Sequence, residues 1–121
     1  EDVSVPRNRA ADLMAVIERL RASHRMDIGV FGHAGDGNFH PTFVTEADDQ
    51  RAEQRINAVR ADLFAEVLKL GGSIAGEHGT GVSKRAFLED QVGSGGLAAR
   101  RAIKSALDPH GILNPGKVLP V

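Results

Sequence analysis

The residues that decide the fold lie at 27–45 and read DIGVFGHAGDGNFHPTFVT. Two apolar segments, 27–31 and 39–45, flank a glycine-rich stretch that contains the pair Asp36-Gly37. An Asp-Gly pair between apolar segments is a strong short-range signal for a β-hairpin. The sequence therefore predicts two neighbouring antiparallel strands joined by a tight turn.

Two histidines lie near the predicted turn. If Asp36 and Gly37 are its two central residues, His33 lies opposite His40, and directly opposed residues have Cβ atoms about 5 Å apart. A four-residue loop would alter the pairing but keep both imidazoles near the end of the hairpin. Such a pair could bind one metal ion, or it could be stacked or hydrogen-bonded on a solvated hairpin.

The segments on either side of the hairpin indicate the fold class. Apolar residues recur at helical spacing over 7–24, where Asn8 is a candidate N-cap, and again from 48 to 70. Short apolar segments at 3–5 and 73–75 predict two further strands. The resulting order is βαββαβ, that of a ferredoxin-like α+β fold with an antiparallel sheet and helices on one face.

The rest of the chain predicts helices. One covers about 82–91 and another 97–107, and the glycines of 93–96 separate them. We therefore expect a single domain in which residues 1–76 form the ferredoxin-like core and residues 77–121 form a C-terminal helical tail.

A second glycine-rich segment, GEHGTG at 76–81, carries an acid and a histidine. Glu77 could complete a set of two imidazoles and one carboxylate, which suits zinc, manganese or iron. His78 could act as a general base, because imidazole titrates near neutral pH. Neighbours on a regular strand point to opposite faces, so the flanking glycines would have to break that regularity. The alternatives are a phosphate-binding turn and a capped helix entry with an exposed acid and histidine.

Composition narrows the possible functions. The 121 residues are 41% hydrophobic and 26% charged, and the net charge of −1 argues against a nucleic-acid or membrane-surface role. No apolar run approaches the roughly 20 residues of a membrane span, and no signal peptide opens the chain. Cysteine is absent, so histidines and carboxylates must hold any metal. We expect a cytoplasmic protein, with peripheral attachment to the inner membrane through partner subunits as an alternative.

Three stretches together resemble a known family. They are GHAGDGNFHP at 32–41, GGSIAGEHGTG at 71–81 and DPHGILNPGK at 108–117. In this order they resemble the C-terminal domain of FAD-linked oxidases of the vanillyl-alcohol oxidase type. That group includes the glycolate oxidase flavoprotein subunit, D-lactate dehydrogenase and D-2-hydroxyglutarate dehydrogenase.

The resemblance implies a metal-assisted oxidation of a small D-2-hydroxy acid by hydride transfer to FAD. It assigns a divalent ion, usually zinc, to His33, His40 and Glu77. It also implies that His78 is the base that removes the hydroxyl proton of the substrate.

The resemblance implies further contacts and partners. Asn114 would lie near the flavin ring, and Asn38 near the flavin or the substrate. Thr42 stands where some relatives have a substrate-binding Asn, which favours glycolate or D-lactate over hydroxyglutarate. FAD would be held mainly by an N-terminal domain that this chain lacks, so the chain alone would be inactive. Its exposed docking surface could drive homo-oligomerisation. The alternatives are a metal-binding hydrolase domain and a non-catalytic ferredoxin-like binding module.

Overall fold

A computed structural model of the chain describes residues 1–120. It contains two compact units, Glu1–His78 and Gly79–Val121. The regular elements of the first unit are, in order, β1 (Val3–Ser4), α1 (Ala10–His24), β2 (Asp27–His33), β3 (Asn38–Val44) and α2 (Ala52–Lys69). The second unit carries α3 (Leu88–Leu107).

The three strands form one antiparallel sheet in the order β1-β3-β2. Strand β3 lies between β1 and β2, so the β1-α1-β2 unit is split by an inserted strand, as in ferredoxin-like folds. The α+β class, the antiparallel sheet and the C-terminal helix are confirmed.

The hairpin turn is longer than a two-residue turn. A 3-10 turn at Ala34–Asp36, followed by Gly37 at φ 73°, connects the strands. His33 therefore pairs with Asn38, and the predicted pairing of His33 with His40 is wrong. The loop instead has four residues, 34–37, as in the alternative prediction. The backbone N–H of Gly37 donates to the carbonyl of Ala34 at 3.2 Å and closes the 3-10 turn.

The predicted fourth strand at 73–75 is reduced to one bridge. Ser73 exchanges two backbone hydrogen bonds with Ser4, at 3.0 and 2.8 Å, on the free edge of β1. Beyond that bridge, the hydroxyl of Ser73 donates to the carbonyl of Ala75 at 2.8 Å and accepts its N–H at 3.2 Å. These local side-chain bonds compete with a strand ladder.

Both helices of the first unit begin later than predicted. Asn8 lies in a 3-10 turn, Arg7–Arg9, and is not the N-cap of α1. Helix α2 begins at Ala52 because the carboxylate of Asp49 accepts the N–H of Arg51 at 2.8 Å, a local turn that delays the helix.

In the second unit, the predicted break between two helices is a kink. Gly93 has φ 70° inside α3, where its lack of a side chain permits the left-handed conformation. The first helical run begins at Leu88 rather than at 82, after a 3-10 turn at Arg85–Phe87. Within residues 1–120, no helix is long and apolar enough to cross a membrane.

The core of the first unit lies between the two helices and one face of the sheet. The buried apolar residues are Leu13, Val16, Ile17 and Leu20 of α1, Val59, Leu63, Phe64 and Val67 of α2, and Val3, Ile28 and Phe39 of the sheet. Side chains alternate along a strand, so the residues between these strand positions point away from the helices. That opposite face carries the histidines of the hairpin.

Replacing Gly32 by Ala should destabilise the first unit by about 1–3 kcal/mol. Gly32 has φ 149°, and a Cβ there would lie 2.4 Å from the backbone oxygen of Asn38, which cannot move without breaking the pairing. Gly35→Ala is the matched control, because a Cβ at Gly35 meets no atom within 4 Å. Urea denaturation followed by circular dichroism measures both variants, and equal midpoints would contradict the steric argument.

Candidate functional site

Strands β2 and β3 place both hairpin histidines on the sheet face opposite the helices. His40 pairs with Phe31 and Asn38 pairs with His33, so the two imidazoles are diagonal neighbours on one face. Their ring centroids lie 5.6 Å apart with the planes at 88°. The predicted convergence of the two imidazoles therefore holds despite the different register.

The second glycine-rich segment brings a carboxylate to the same point. Glu77 Oε1 lies 3.2 Å from His40 Nε2 and 3.4 Å from His33 Nε2. His78 stacks on the ring of His40, with centroids 5.0 Å apart and planes at 10°, and its Nε2 lies 3.6 Å from the same Oε1. Both neighbours can face one site because residues 76–78 form neither strand nor helix.

The donor set fits a divalent metal ion. The ligand atoms of His33, His40 and Glu77 all lie within 4.8 Å of one another. Two imidazole nitrogens and one carboxylate oxygen are a ligand set of catalytic zinc and iron sites that leaves positions open. That these residues bind a metal stays a prediction at this point.

Asp2, His40 and His78 form a second, overlapping group with metal-ligand spacing. Asp2 is only 1% exposed. Its Oδ2 accepts three backbone N–H groups, from Gly76 at 2.9 Å, Glu77 at 3.0 Å and His78 at 2.9 Å. The other oxygen, Oδ1, lies 3.8 Å from His40 Nδ1 and also 3.3 Å from the backbone nitrogen of Glu77. Because the backbone amides already engage both oxygens of this carboxylate, the group containing Glu77 is the better candidate for a metal site.

Asp2 is a site residue that the sequence did not reveal. The pairing of Val3 with Phe39 places Asp2 opposite His40, on the same face, and its Oδ1 lies 3.8 Å from His40 Nδ1. The signal was an acid directly before an apolar strand. It could be interpreted only once β1 was known to lie beside β3.

Asn38 lies beneath the Gly76 segment. A Cβ on Gly76 would lie 2.2 Å from Asn38 Oδ1 and 2.6 Å from Asp2 Oδ1, so only glycine permits this close approach. Asn38 is buried, and among the described residues its Oδ1 has no hydrogen-bond partner. A contact between Asn38 and flavin or substrate stays a prediction.

Phe31 was also missed. Its side chain is 65% exposed, and its ring lies 5.3 Å from that of His40, with the planes at 44°. It forms an apolar wall beside the buried imidazole, on the face that carries the other histidine.

A comparison with known families identifies the chain. The family described as "FAD linked oxidases, C-terminal domain" matches residues 1–118. The chain belongs to this family. The resemblance expected from the three motifs is thereby confirmed.

Curated relatives of this FAD-linked oxidase domain carry related names. The chain is 42% identical to the glycolate oxidase subunit GlcD of Bacillus subtilis, over 98% of this chain and 25% of that protein. It is 36% identical to a probable mitochondrial D-lactate dehydrogenase of Danio rerio, over 98% and 24%. It is 35% identical to the D-2-hydroxyglutarate dehydrogenase of Escherichia coli, over 99% and 12%. The chain thus spans about a quarter or less of each of these relatives.

The second unit of this FAD-linked oxidase domain carries the predicted flavin contact. Asn114 is exposed, has φ 46°, and lines a groove of about 450 Å³ with Lys117 and apolar side chains that include Leu113. The groove therefore combines an amide, a cation and apolar side chains. The contact itself stays a prediction.

Asp108 holds the turn that leads to Asn114. Its carboxylate accepts the N–H groups of Ile112 and Leu113, both at 3.0 Å, and the ammonium group of Lys104. The hydrogen bond from Lys104, and then the backbone N–H groups, hold the pKa of Asp108 below its usual 3.8 against the opposing effect of burial.

Because the folded-state pKa of Asp108 is lowered, its contribution to stability is present above the usual value and is lost as pH falls through the lowered one. We therefore expect Asp108→Asn to lower the melting temperature at pH 7. The difference from wild type should shrink below about pH 4. Asp48→Asn, at an exposed position, is the control and should leave the melting temperature unchanged at both pH values. A difference for Asp108→Asn that is the same at pH 7 and pH 3 would contradict this account.

Proposed function

We propose that this chain is the substrate-side part of an FAD-dependent oxidoreductase that oxidises a small D-2-hydroxy acid of the glycolate or D-lactate type. One observation carries the proposal: the Nε2 atoms of His33 and His40 converge on Oε1 of Glu77 at 3.4 and 3.2 Å. The family match and the names of the relatives favour flavin-linked oxidation over metal-dependent hydrolysis.

His33, His40 and Glu77 would hold a divalent ion, with zinc as the expected metal. A bound ion would supply Lewis-acid polarisation of the substrate hydroxyl. His40 is buried, whereas His33 and Glu77 are exposed. The donor set is therefore fixed on one side and open to a small ligand on the other.

His78 would be the general base. Its stacking on His40 restrains the ring, and its Nε2 points toward the same oxygen of Glu77 as the proposed ligands. A substrate hydroxyl bound at this point would lie within reach of that nitrogen, which would take the hydroxyl proton. Bound FAD would supply the acceptor for the C2 hydrogen and its two electrons, so that the product would be a 2-oxo acid.

The side chains beside the proposed ligands suit a short substrate. Phe31 presents an apolar wall next to His40. Thr42, two residues after His40 on β3, supplies a hydroxyl on the same face and no charge to match a second carboxylate. We therefore propose a hydrogen atom or a methyl group at C2 of the substrate.

We propose that FAD is held mainly by another part of the protein, with Asn114 as a contact from this chain. The second unit exposes Ile103, Leu107, Ile112 and Leu113. Apolar side chains in such numbers suit packing against another surface. The FAD-binding part of the same protein or of a partner chain is the proposed occupant.

Metal analysis of the full-length protein tests the ligand set. Wild type should contain about one equivalent of divalent metal, and His33→Ala and Glu77→Ala should each lose most of it, since a three-residue set cannot spare a ligand. His110→Ala is the matched control, because His110 is an exposed imidazole in the other unit. Stoichiometric metal in both ligand variants would remove the proposed site.

Anaerobic stopped-flow reduction of the flavin by glycolate and D-lactate tests the reaction. His78→Ala in the full-length protein should slow flavin reduction by about 10²–10⁴-fold, the usual contribution of a general base, while metal content stays at the wild-type level. Reduction at the wild-type rate would show that His78 is not the base. Loss of metal in this variant would make His78 a ligand instead.

A further inference from the structure

We infer that Asp2 is a positioning residue that sets the backbone carrying both Glu77 and His78. The inference rests on the proposed function, because it concerns the proposed metal ligand and the proposed base. Asp2 would touch neither substrate nor flavin. It acts through the segment that it holds.

Three consecutive amides point at one carboxylate oxygen. The N–H groups of Gly76, Glu77 and His78 donate to Asp2 Oδ2 at 2.9, 3.0 and 2.9 Å, and that of Glu77 also lies 3.3 Å from Oδ1. Successive backbone N–H groups that face one point form a concave anion site. Here a side chain 74 residues before Gly76 occupies that site.

These hydrogen bonds are strong for two reasons. The acceptor is a carboxylate, and hydrogen bonds to an ionised group are roughly twice as strong as neutral ones. Asp2 is also almost fully buried, so water competes little for its oxygens. Residues 76–78 have no helix or strand of their own, so regular secondary structure does not fix their amides. The carboxylate therefore determines where this backbone lies.

Asp2 also approaches the third member of the site. Its Oδ1 lies 3.8 Å from Nδ1 of His40, which is longer than a hydrogen bond, and that nitrogen is buried with no partner among the described residues. A carboxylate beside the non-ligating nitrogen is the common way in which proteins orient a metal-binding imidazole. One side chain thus holds the backbone of a proposed ligand and of the proposed base, and its second oxygen lies beside the non-ligating nitrogen of another proposed ligand.

Asp2→Asn separates positioning from simple packing. The amide has nearly the same shape, and its single oxygen can still accept the three N–H groups, but more weakly without the charge. The amide NH₂ then takes the place of Oδ1 and presents a donor to His40 Nδ1. The fold should therefore survive while the segment carrying Glu77 and His78 is less well held.

The test uses Co²⁺ as a spectroscopic probe in the full-length protein. Cobalt affinity is measured by competition with a chelator, and ligand geometry by the visible absorption bands. We expect Asp2→Asn to weaken Co²⁺ binding by about 10–100-fold, the usual effect of losing a residue that supports a metal ligand, and to alter the absorption bands. The melting temperature of the metal-free protein is measured in parallel.

Asp108→Asn is the matched control. Asp108 is also a buried carboxylate that accepts consecutive backbone N–H groups, from Ile112 and Leu113, but it lies in the other unit. This variant should lower the melting temperature and leave Co²⁺ affinity and absorption as in wild type. A purely structural role for Asp2 predicts the same behaviour for Asp2→Asn.

The outcomes separate the two proposals. If wild type binds Co²⁺, His33→Ala does not, and Asp2→Asn matches wild type, the metal site stands and the role of Asp2 is overturned. If wild type does not bind Co²⁺, the proposed metal site and the positioning role of Asp2 are both overturned. Should Asp2→Asn not fold, hydrogen exchange in wild type decides. Protected amides at Gly76, Glu77 and His78 support the inference, and exchange at the rate of an unstructured peptide overturns it.

Discussion

The register of the antiparallel sheet β1-β3-β2 is the constraint on which the rest of the first unit depends. Because side chains alternate along a strand, the pairing that buries Val3 against Phe39 on the helix side also places Asp2 opposite His40 on the other side. A slip of one residue would exchange the two faces and expose the core. The hydrophobic core therefore fixes the position of the polar cluster, although the two share no side chain.

The parts of this arrangement that depend on nearby residues could be predicted. The hairpin, both helices and the proximity of His33 to His40 follow from periodicity and from turn residues within a short stretch. The length of the hairpin loop could not be predicted, because an Asp-Gly pair is compatible both with a two-residue turn and with the 3-10 turn that forms. The prediction of a full strand at 73–75 was wrong for a similar reason. The hydroxyl of Ser73 bonds the N–H and the carbonyl of Ala75, which a strand ladder would have used.

Contacts between distant residues were beyond the sequence alone. Glu77 could be proposed as a ligand from its chemistry and from the family motif, but nothing local placed it beside the hairpin. Asp2 lies outside all three motifs, and its role depends on β1 lying beside β3 and on the bridge between Ser4 and Ser73, which brings the Gly76 segment alongside. Sequence motifs identify residues with the chemistry of ligands or bases. The residues that position them can be identified only once the order of the strands in the sheet is known.

The distribution of burial across the polar cluster explains how it can be both rigid and accessible. Asp2 and His40 are buried at the sheet surface, whereas His33, Glu77 and His78 are 59%, 47% and 63% exposed at their side chains. The buried pair ties the cluster to the core, where packing leaves little freedom. The exposed groups stay open to a ligand from solvent.

Hydrogen bonds from three backbone amides make the burial of the Asp2 carboxylate tolerable, since an isolated charge at this depth would be strongly destabilising. The same carboxylate adds negative charge beneath the imidazoles, which favours a cation over an anion at the Nε2 atoms beside Glu77.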